Sequence, residues 1–370
     1  MDLATSPRYA RQRILPGFGT EGQRRLADAR VVVIGAGGLG SAVLPALAAA
    51  GVGTLVVVDP DVVDETNLHR QTLHGPGDVG RAKVESAAER LAEIAPELRV
   101  VQVALVFDAR SAAEIVAGAD VLVDASDNAA ARFAADDAAT AAGIPLVWGS
   151  ALRFSGQAGV VWGAHGVDYR DLFPEPTDDP DTCEVAGVLP TVCTTIGGLM
   201  ATEVLKLLTG VGTPLVGSVI DVDALTGAMR RLDFARDPDR DTSGPPTRPA
   251  APQAAPQAAT PAPDADAGIE PDELAAVLRS DTPPLLLDVR EPWEVEAAAL
   301  PGATVIPLGE LPARIAELDP GLPTVVYCHH GVRSARALDL LRQAGFADAR
   351  HLRGGIDSWS RAVDPSVPRY

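Results

Sequence analysis

The sequence predicts an α/β protein of two domains joined by a flexible linker. Three observations carry that expectation: apolar Val/Ile/Leu runs that each lead into a turn and a helix-like segment, a length of 370 residues, and one abrupt change of composition after Phe234. A chain of this length exceeds what one hydrophobic core usually organises. Hydrophobic residues make up 46% and aromatics only 4%, so the cores should be built from Val, Leu, Ile and Ala. From Asp237 to Ala267 the chain is dominated by Pro, Ala, Asp and Gln and holds no aliphatic side chain larger than Ala. Such a stretch buries too little apolar surface to offset its ordering entropy. The expected division is therefore 1–236, a linker over 237–267, and 268–370.

Charge and cysteine usage narrow the function. A formal net charge of -19 repels phosphate backbones and anionic headgroups, so neither nucleic acid nor membrane is expected as a partner. Met1 to Ala10 lacks a signal-type apolar core, and the apolar stretch Ala42 to Val58 is interrupted by Pro45, Gly51 and Gly53. Three cysteines, Cys183, Cys193 and Cys328, form no paired framework and point to a reducing compartment, with a cytoplasmic location expected.

The first α/β unit is expected to open with a strand, Arg30–Ile34, whose continuous Val/Ile run suits a parallel strand buried on both faces. Gly35, Gly37, Gly38 and Gly40 follow, permitting a tight turn and close approach of phosphate to N–H groups at the start of a helix, Ser41 to Ala50. A second strand, Thr54–Val58, ends in Asp59, placed to accept hydrogen bonds from a ribose. This is a Rossmann-like, mononucleotide-binding βαβ unit. Dinucleotide oxidoreductases share the motif, so a nicotinamide-dependent oxidoreductase with a regulatory appendage and a non-catalytic scaffold both stand as alternatives.

Further along, Asn67-Leu-His-Arg70-Gln71, Gly80-Arg-Ala-Lys83 and Asp124-Ala-Ser-Asp127-Asn128 add two cations and a carboxylate after expected strand ends. A triphosphate with magnesium needs that set. These stretches, with Arg8-Tyr-Ala-Arg11-Gln12 and Lys83-Val-Glu-Ser86, resemble the MoeB/ThiF family, bacterial relatives of ubiquitin-activating enzymes, from about Arg8 to Phe234. The resemblance implies that Asp59 binds the ribose of ATP, that Asn67, Arg70 and Lys83 hold the phosphates, and that Asp127 holds Mg2+. It also implies that Arg11 reaches the phosphates from the other subunit of a homodimer. The chemistry implied is adenylation of the C-terminal carboxylate of a small ubiquitin-like sulfur carrier ending in Gly-Gly, in which positive charge offsets the meeting of two anions. Most family members carry two Cys-x-x-Cys pairs for a structural zinc. Here the matching positions read Asp168-Tyr-Arg-Asp171 and Arg240-Asp-Thr-Ser243, so no zinc is expected.

Cys183 lies in a polar stretch before Gly187-Val-Leu189, where rhodanese-fused relatives place a cysteine that takes part in sulfur transfer. Cys193, in the apolar, helix-like segment that follows, is expected to be a small core residue. The second unit alternates helix-like segments with strands such as Leu285–Leu287 and Thr324–Tyr327. Cys328-His-His-Gly-Val-Arg333-Ser334 links such a strand to a helix-like segment, Ala335 to Gln343, so loop N–H groups and a helix N-terminus should favour thiolate. With Asp288-Val-Arg290-Glu, Leu300-Pro-Gly-Ala303 and Leu352-Arg-Gly-Gly355, this part resembles a rhodanese sulfurtransferase domain. Cysteine phosphatases hold one residue more in the loop than the four that separate Cys328 from Arg333. His329 and His330 are expected to shape the loop rather than bind metal, pointing in different directions.

Together the two parts resemble the MoeZ-like fusion proteins. That resemblance implies carriers of the MoaD or ThiS kind, serving molybdenum-cofactor, thiamine or other sulfur-insertion pathways. It implies a persulfide on Cys328, loaded from thiosulfate or a cysteine desulfurase, and release of the thiocarboxylate by Cys183.

Overall fold

A computed structural model describes residues 3–174, 187–238, 268–280 and 282–369. The chain divides into two units, Met1–Arg248 and Pro249–Tyr370. The first is built on an eight-stranded sheet of order β3-β2-β1-β4-β5-β6-β7-β8. Its strands are β1 Arg30–Ile34, β2 Thr54–Val58, β3 Arg99–Val103, β4 Val121–Asp124, β5 Leu146–Leu152, β6 Ser155–Val161, β7 Ser218–Asp223 and β8 Ala228–Asp233. The first five are parallel, and β5 through β8 continue as an antiparallel meander. The chain order turns back between β1 and β4, which is where open α/β sheets place their ligands.

The register explains the Val run. Val31 and Val33 join one core with Leu44, Leu47, Ile196 and Met200, whereas Val32 and Ile34 join the other with Phe133, Leu122 and Trp148. Successive side chains of β1 enter opposite layers, so neither face tolerates a polar residue. The helix Gly40–Ala50 packs on the first layer beside Pro190–Thr209. The latter is long and apolar enough to cross a membrane, but Cys193, Ile196, Met200 and Val204 are buried in the core of this unit.

The turn at Tyr169–Asp171, where relatives would place a zinc thiolate pair, is held by charge and hydrogen bonds. Asp168 accepts from Arg170 N (3.0 Å), and Asp171 accepts from Asp168 N (2.9 Å) and from Asp237 N (3.1 Å). Arg170 bridges Asp136 (2.9 Å) and Asp137 (2.6 Å) on the helix Ala129–Ala142. Asp168 and Asp171 are thus engaged in capping the turn. Residues 240–243 lie outside the described residues.

The second unit has a five-stranded parallel sheet of order β11-β10-β12-β13-β9. Its strands are β9 Gly268–Ile269, β10 Leu285–Asp288, β11 Thr304–Val305, β12 Thr324–Tyr327 and β13 Ala349–Leu352. Again alternate residues of the central strands enter two cores: Leu286, Val325 and Tyr327 on one side, Leu287 and Val326 on the other. Asp288, at the end of β10, forms a fully buried pair with Arg290, which also donates to Ala298 O at 2.8 Å. The pair satisfies charges that could not be left bare in this interior.

Because the sequence has no cysteine at positions 168, 171, 240 and 243, the protein is expected to contain no stoichiometric zinc and to unfold at the same temperature with and without EDTA, checked by elemental analysis and thermal unfolding. One zinc per chain would refute this. Arg170→Ala is expected to destabilise the first unit instead. Burial already pushes the Asp136 carboxyl up to about 7, so without Arg170 it takes up a proton, which limits the loss to about 2 kcal/mol by urea unfolding at neutral pH.

Candidate functional site

The turn after β1 is a steric solution. Gly35 has φ 94, a left-handed conformation that glycine adopts without cost, and a Cβ there would sit 2.8 Å from Ala125 O. A Cβ at Gly40 would collide with the carbonyl oxygen of Gly35. The helix Gly40–Ala50 thus starts directly against the strand end. His74 holds the turn from behind: Nε2 donates to Ala36 O (2.9 Å) and Nδ1 accepts from Ser86 Oγ (2.8 Å), since a carbonyl oxygen only accepts. Burial lowers the pKa of this imidazole and keeps it neutral for that tautomer.

In front of the turn lies a pocket of about 660 Å³, within the range of small-molecule sites. Gly35, Gly37, Gly38, Asp59, Asn67, Arg70, Lys83 and Asp127 all line it, although they are scattered over more than ninety residues of sequence. Gly40 stands behind the turn rather than in the lining, and Arg11 is exposed and contributes nothing to this pocket from its own chain. Asp59 is buried and accepts from Ala36 N (2.8 Å) and Asp61 N (2.9 Å). Its burial raises the carboxyl pKa, opposed by the nearby Lys83. Lys83 Nζ pairs with Asp61 at 2.9 Å; the lysine side chain is 8% exposed and the aspartate 62%, so the cation is fixed while its partner faces solvent. Asp127 is exposed at the pocket rim, next to Asn128, whose side chain caps the helix Ala129–Ala142 by accepting from Ala131 N (3.2 Å).

Two lining residues, Gln71 and Arg132, draw no role from sequence, and a third, Cys193, only that of a core residue. Gln71 is buried, and its Oε1 has no partner among the described residues, an unmet acceptor beside Gly37. Arg132 reaches the pocket from one turn into its helix. Cys193 is buried as expected of a core residue, yet its Sγ abuts Gly38 and it also lines the pocket. Burial raises its thiol pKa, so it stays protonated. The Gln71 signal was present in the stretch Asn67 to His74; the Arg132 signal was only its position five residues after Asp127.

In the second unit Cys328 is buried directly after β12. Its Sγ accepts from Gly331 N (3.1 Å) and Ser334 N (3.4 Å), and the thiol donates toward Ser334 Oγ at 3.6 Å. Ile356 N and Asp357 N, at the start of the helix Gly355–Ala362, donate to Cys328 O (2.9 Å) and His329 O (3.2 Å). A Cβ at Gly355 would collide with both carbonyls. Turned toward that helix, they leave N–H groups facing the sulfur. Arg333 does not present a bare charge to the thiol: Glu294 binds it at 2.6 Å through both oxygens. The two histidines depart from expectation. Their rings stack at 3.9 Å instead of diverging, and with Asp357 they group ligand-type atoms within 4.8 Å. Asp357 is engaged by Arg361 (3.0 Å) and Arg369 (2.7 Å), and His330 Nδ1 lies 3.9 Å from it. Cys183 lies outside the described residues.

A nucleotide-sized, cation-bearing pocket at the turning point of one α/β sheet, and a thiol in an N–H-lined loop on another, define an enzyme that joins nucleotide chemistry to thiol chemistry. Residues 9–243 match the ThiF family and residues 270–362 the rhodanese-like domain; the chain belongs to the ThiF family and is an adenylyltransferase and sulfurtransferase. It is 42% identical to the probable adenylyltransferase/sulfurtransferase MoeZ of Mycobacterium tuberculosis, covering 98% of this chain and 95% of that protein. It is 38% identical to the adenylyltransferase and sulfurtransferase MOCS3 of Sus scrofa, covering 98% and 87%. The crystal structure of E. coli MccB with ATP shares the fold of the larger unit, with a TM-score of 0.56, 22% identity, and coverage of 65% and 75%. The oxidoreductase and scaffold alternatives find no support in these relatives.

The contact between residues 35 and 40 makes a sharp expectation. Gly40→Ala should weaken binding of an ATP analogue at least about tenfold by calorimetry, with thiosulfate sulfurtransferase activity unchanged. An affinity equal to wild type would show that the turn does not shape the pocket.

Proposed function

We propose that this chain adenylates the C-terminal Gly-Gly carboxylate of a small ubiquitin-like sulfur carrier of the MoaD or ThiS kind and then converts it to a thiocarboxylate. The observation that carries the reading is the convergence of Arg70, Lys83, Asn67, Asp59 and Asp127 on one pocket beyond the strand ends. Two cations, an unmet amide acceptor and an exposed carboxylate suit a nucleoside triphosphate with a divalent ion better than a nicotinamide.

In this reading Asp59 receives the ribose hydroxyls, while Arg70 and Lys83 draw the phosphates toward the turn. Lys83 is held in place by Asp61, whose solvent-facing carboxylate gives way at little cost when a phosphate arrives. Asp127 is the residue that would hold Mg2+, which when bound offsets charge on the pyrophosphate. The carrier carboxylate attacks the α-phosphorus, the bond to the β-phosphate oxygen breaks, and pyrophosphate leaves. No protein nucleophile is needed, so positioning and charge supply the catalysis. Arg11, exposed on its own subunit, would complete the site of a partner subunit in a homodimer.

The second half follows from the Cys328 loop. A persulfide there is an anion held by Gly331 N and Ser334 N. Its outer sulfur attacks the acyl carbon of the adenylate and AMP departs, leaving an acyl disulfide. The Cys183 thiolate then attacks the Cys328 sulfur; the thiocarboxylate is released and a Cys183–Cys328 disulfide remains for an external thiol to reduce. Domain limits of 1–236 and 268–370, a cytoplasmic location, and thiosulfate or a cysteine desulfurase as sulfur source complete the reading.

Asp127→Ala is expected to lower carrier-dependent ATP–pyrophosphate exchange at least about a hundredfold while sulfurtransferase activity persists; normal exchange would sink the magnesium assignment. The thiols are expected to divide the work. Cys328→Ser should abolish persulfide formation from thiosulfate and leave adenylation intact, and Cys183→Ser should preserve both partial reactions yet slow thiocarboxylate release. Mass spectrometry of the carrier reads the outcome. Thiocarboxylate made from thiosulfate at the wild-type rate by Cys328→Ser would remove the second unit from the relay.

A further inference from the structure

Arg132 is the lining cation that the reaction scheme leaves without a task, and its surroundings set it apart from Arg70 and Lys83. Its side chain is 12% exposed and its Nε donates to Asp124 Oδ2 at 2.7 Å; Asp124 is fully buried at the end of β4. A cation already neutralised by a buried carboxylate is a poor attractor for phosphate. Nη2 donates to backbone, reaching Ser126 O at 2.9 Å and Gly149 O, on β5, at 2.8 Å, and the side chain also hydrogen-bonds Tyr169. The other oxygen of Asp124 accepts from Ser126 N (3.0 Å) and Ser126 Oγ (2.5 Å). The guanidinium also lies 5.9 Å from the ring centres of Trp148 and Tyr169, which fixes its plane. Ser126 is therefore gripped at its N–H, its hydroxyl and its carbonyl, and the next residue is Asp127.

We propose that Arg132, with Asp124, is a positioning residue that sets the Asp127 carboxylate for the divalent ion of the bound nucleotide. The inference rests on the magnesium reading above. Asp127 is exposed and projects from a loop; a lone exposed carboxylate samples several rotamers, and a metal ligand that must be ordered on binding loses affinity. Bracing the preceding residue to β4, β5 and the helix Ala129–Ala142 removes the backbone part of that loss. Asn128, capping the same helix, fixes the loop on its other side. The arrangement acts on the metal and leaves the phosphate cations untouched, so its signature is specific.

The test is calorimetry of a nonhydrolysable α,β-methylene ATP analogue binding to the full chain, in EDTA and in Mg2+. Arg132→Lys keeps a charge for Asp124 but cannot hold both carbonyls. It is expected to bind the analogue in EDTA as wild type does and to lose the Mg2+-dependent gain by about tenfold. Ser126→Ala, which releases one grip on Asp124 and leaves Arg132 in place, should lose a smaller part of the gain and covers the case in which the lysine variant does not fold. An undiminished gain in both folded variants overturns the proposal, as does an equal loss with and without Mg2+, which would make Arg132 a general scaffold of the pocket. If wild type shows no gain and Asp127→Ala matches it, the magnesium reading itself falls and this proposal with it.

Discussion

The first unit depends on one close approach, the helix Gly40–Ala50 starting against the carbonyl of Gly35. No side chain fits between residues 35 and 40, so the chain leaves β1 and enters the helix in a tight turn along the C-terminal edge of the sheet, where the strands end. Everything else at the pocket is placed relative to that edge. β2 ends beside it and delivers Asp59, whose carboxylate accepts from Ala36 N and so ties the second strand to the turn. β4 ends on its other side, and Ala125 O closes against Gly35. His74 completes the enclosure from behind. The pocket is thus a property of backbone geometry before it is a property of charged side chains.

The second unit reaches the same end by a related route. There the constraint is Gly355, which lets a helix N-terminus come down onto the carbonyls of Cys328 and His329. With those carbonyls occupied, the peptide planes of the loop leave N–H groups of Gly331 and Ser334 facing the sulfur. In both units parallel strands deliver the loop at their C-terminal ends, and in both a glycine permits the backbone contact that orients it, Gly40 at the loop's own end in the first unit and Gly355 from farther along the chain in the second.

Much of this was legible in sequence because it is local. The Val/Ile runs at 30–34 and 54–58, the glycines at 35 to 40, the terminal Asp59 and the Cys328 loop lie in short stretches whose residue types have few other uses, and the strands fall where the runs do. What was hidden depends on pairings across the chain. Asp124 with Arg132 reads as a motif residue and an ordinary helix cation; only the fold shows that their charges cancel inside the pocket wall. Arg333 reads as a loop cation, yet Glu294, thirty-nine residues earlier, takes both its donors. The stacked rings of His329 and His330 escaped because alternation of side chains holds in an extended strand and fails in a tight loop.

Those hidden pairings bear on chemistry, because the two sites face opposite electrostatic demands. A pocket that takes up a nucleotide must gather several negative charges, and at Lys83 the counter-ion Asp61 faces solvent, where an ion pair is worth little. A thiol site that works through an anionic sulfur makes a different demand. A bare cation beside Cys328 would stabilise the thiolate, but nucleophilicity falls as pKa falls, so strong stabilisation dulls the attack. Glu294 cancels Arg333, and burial together with the neighbouring His330 lowers His329 to about 4, neutral at ordinary pH. Among the described residues, the sulfur is met by two neutral donors, Gly331 N and Ser334 N. Glu294 thus removes a net positive charge from beside the sulfur.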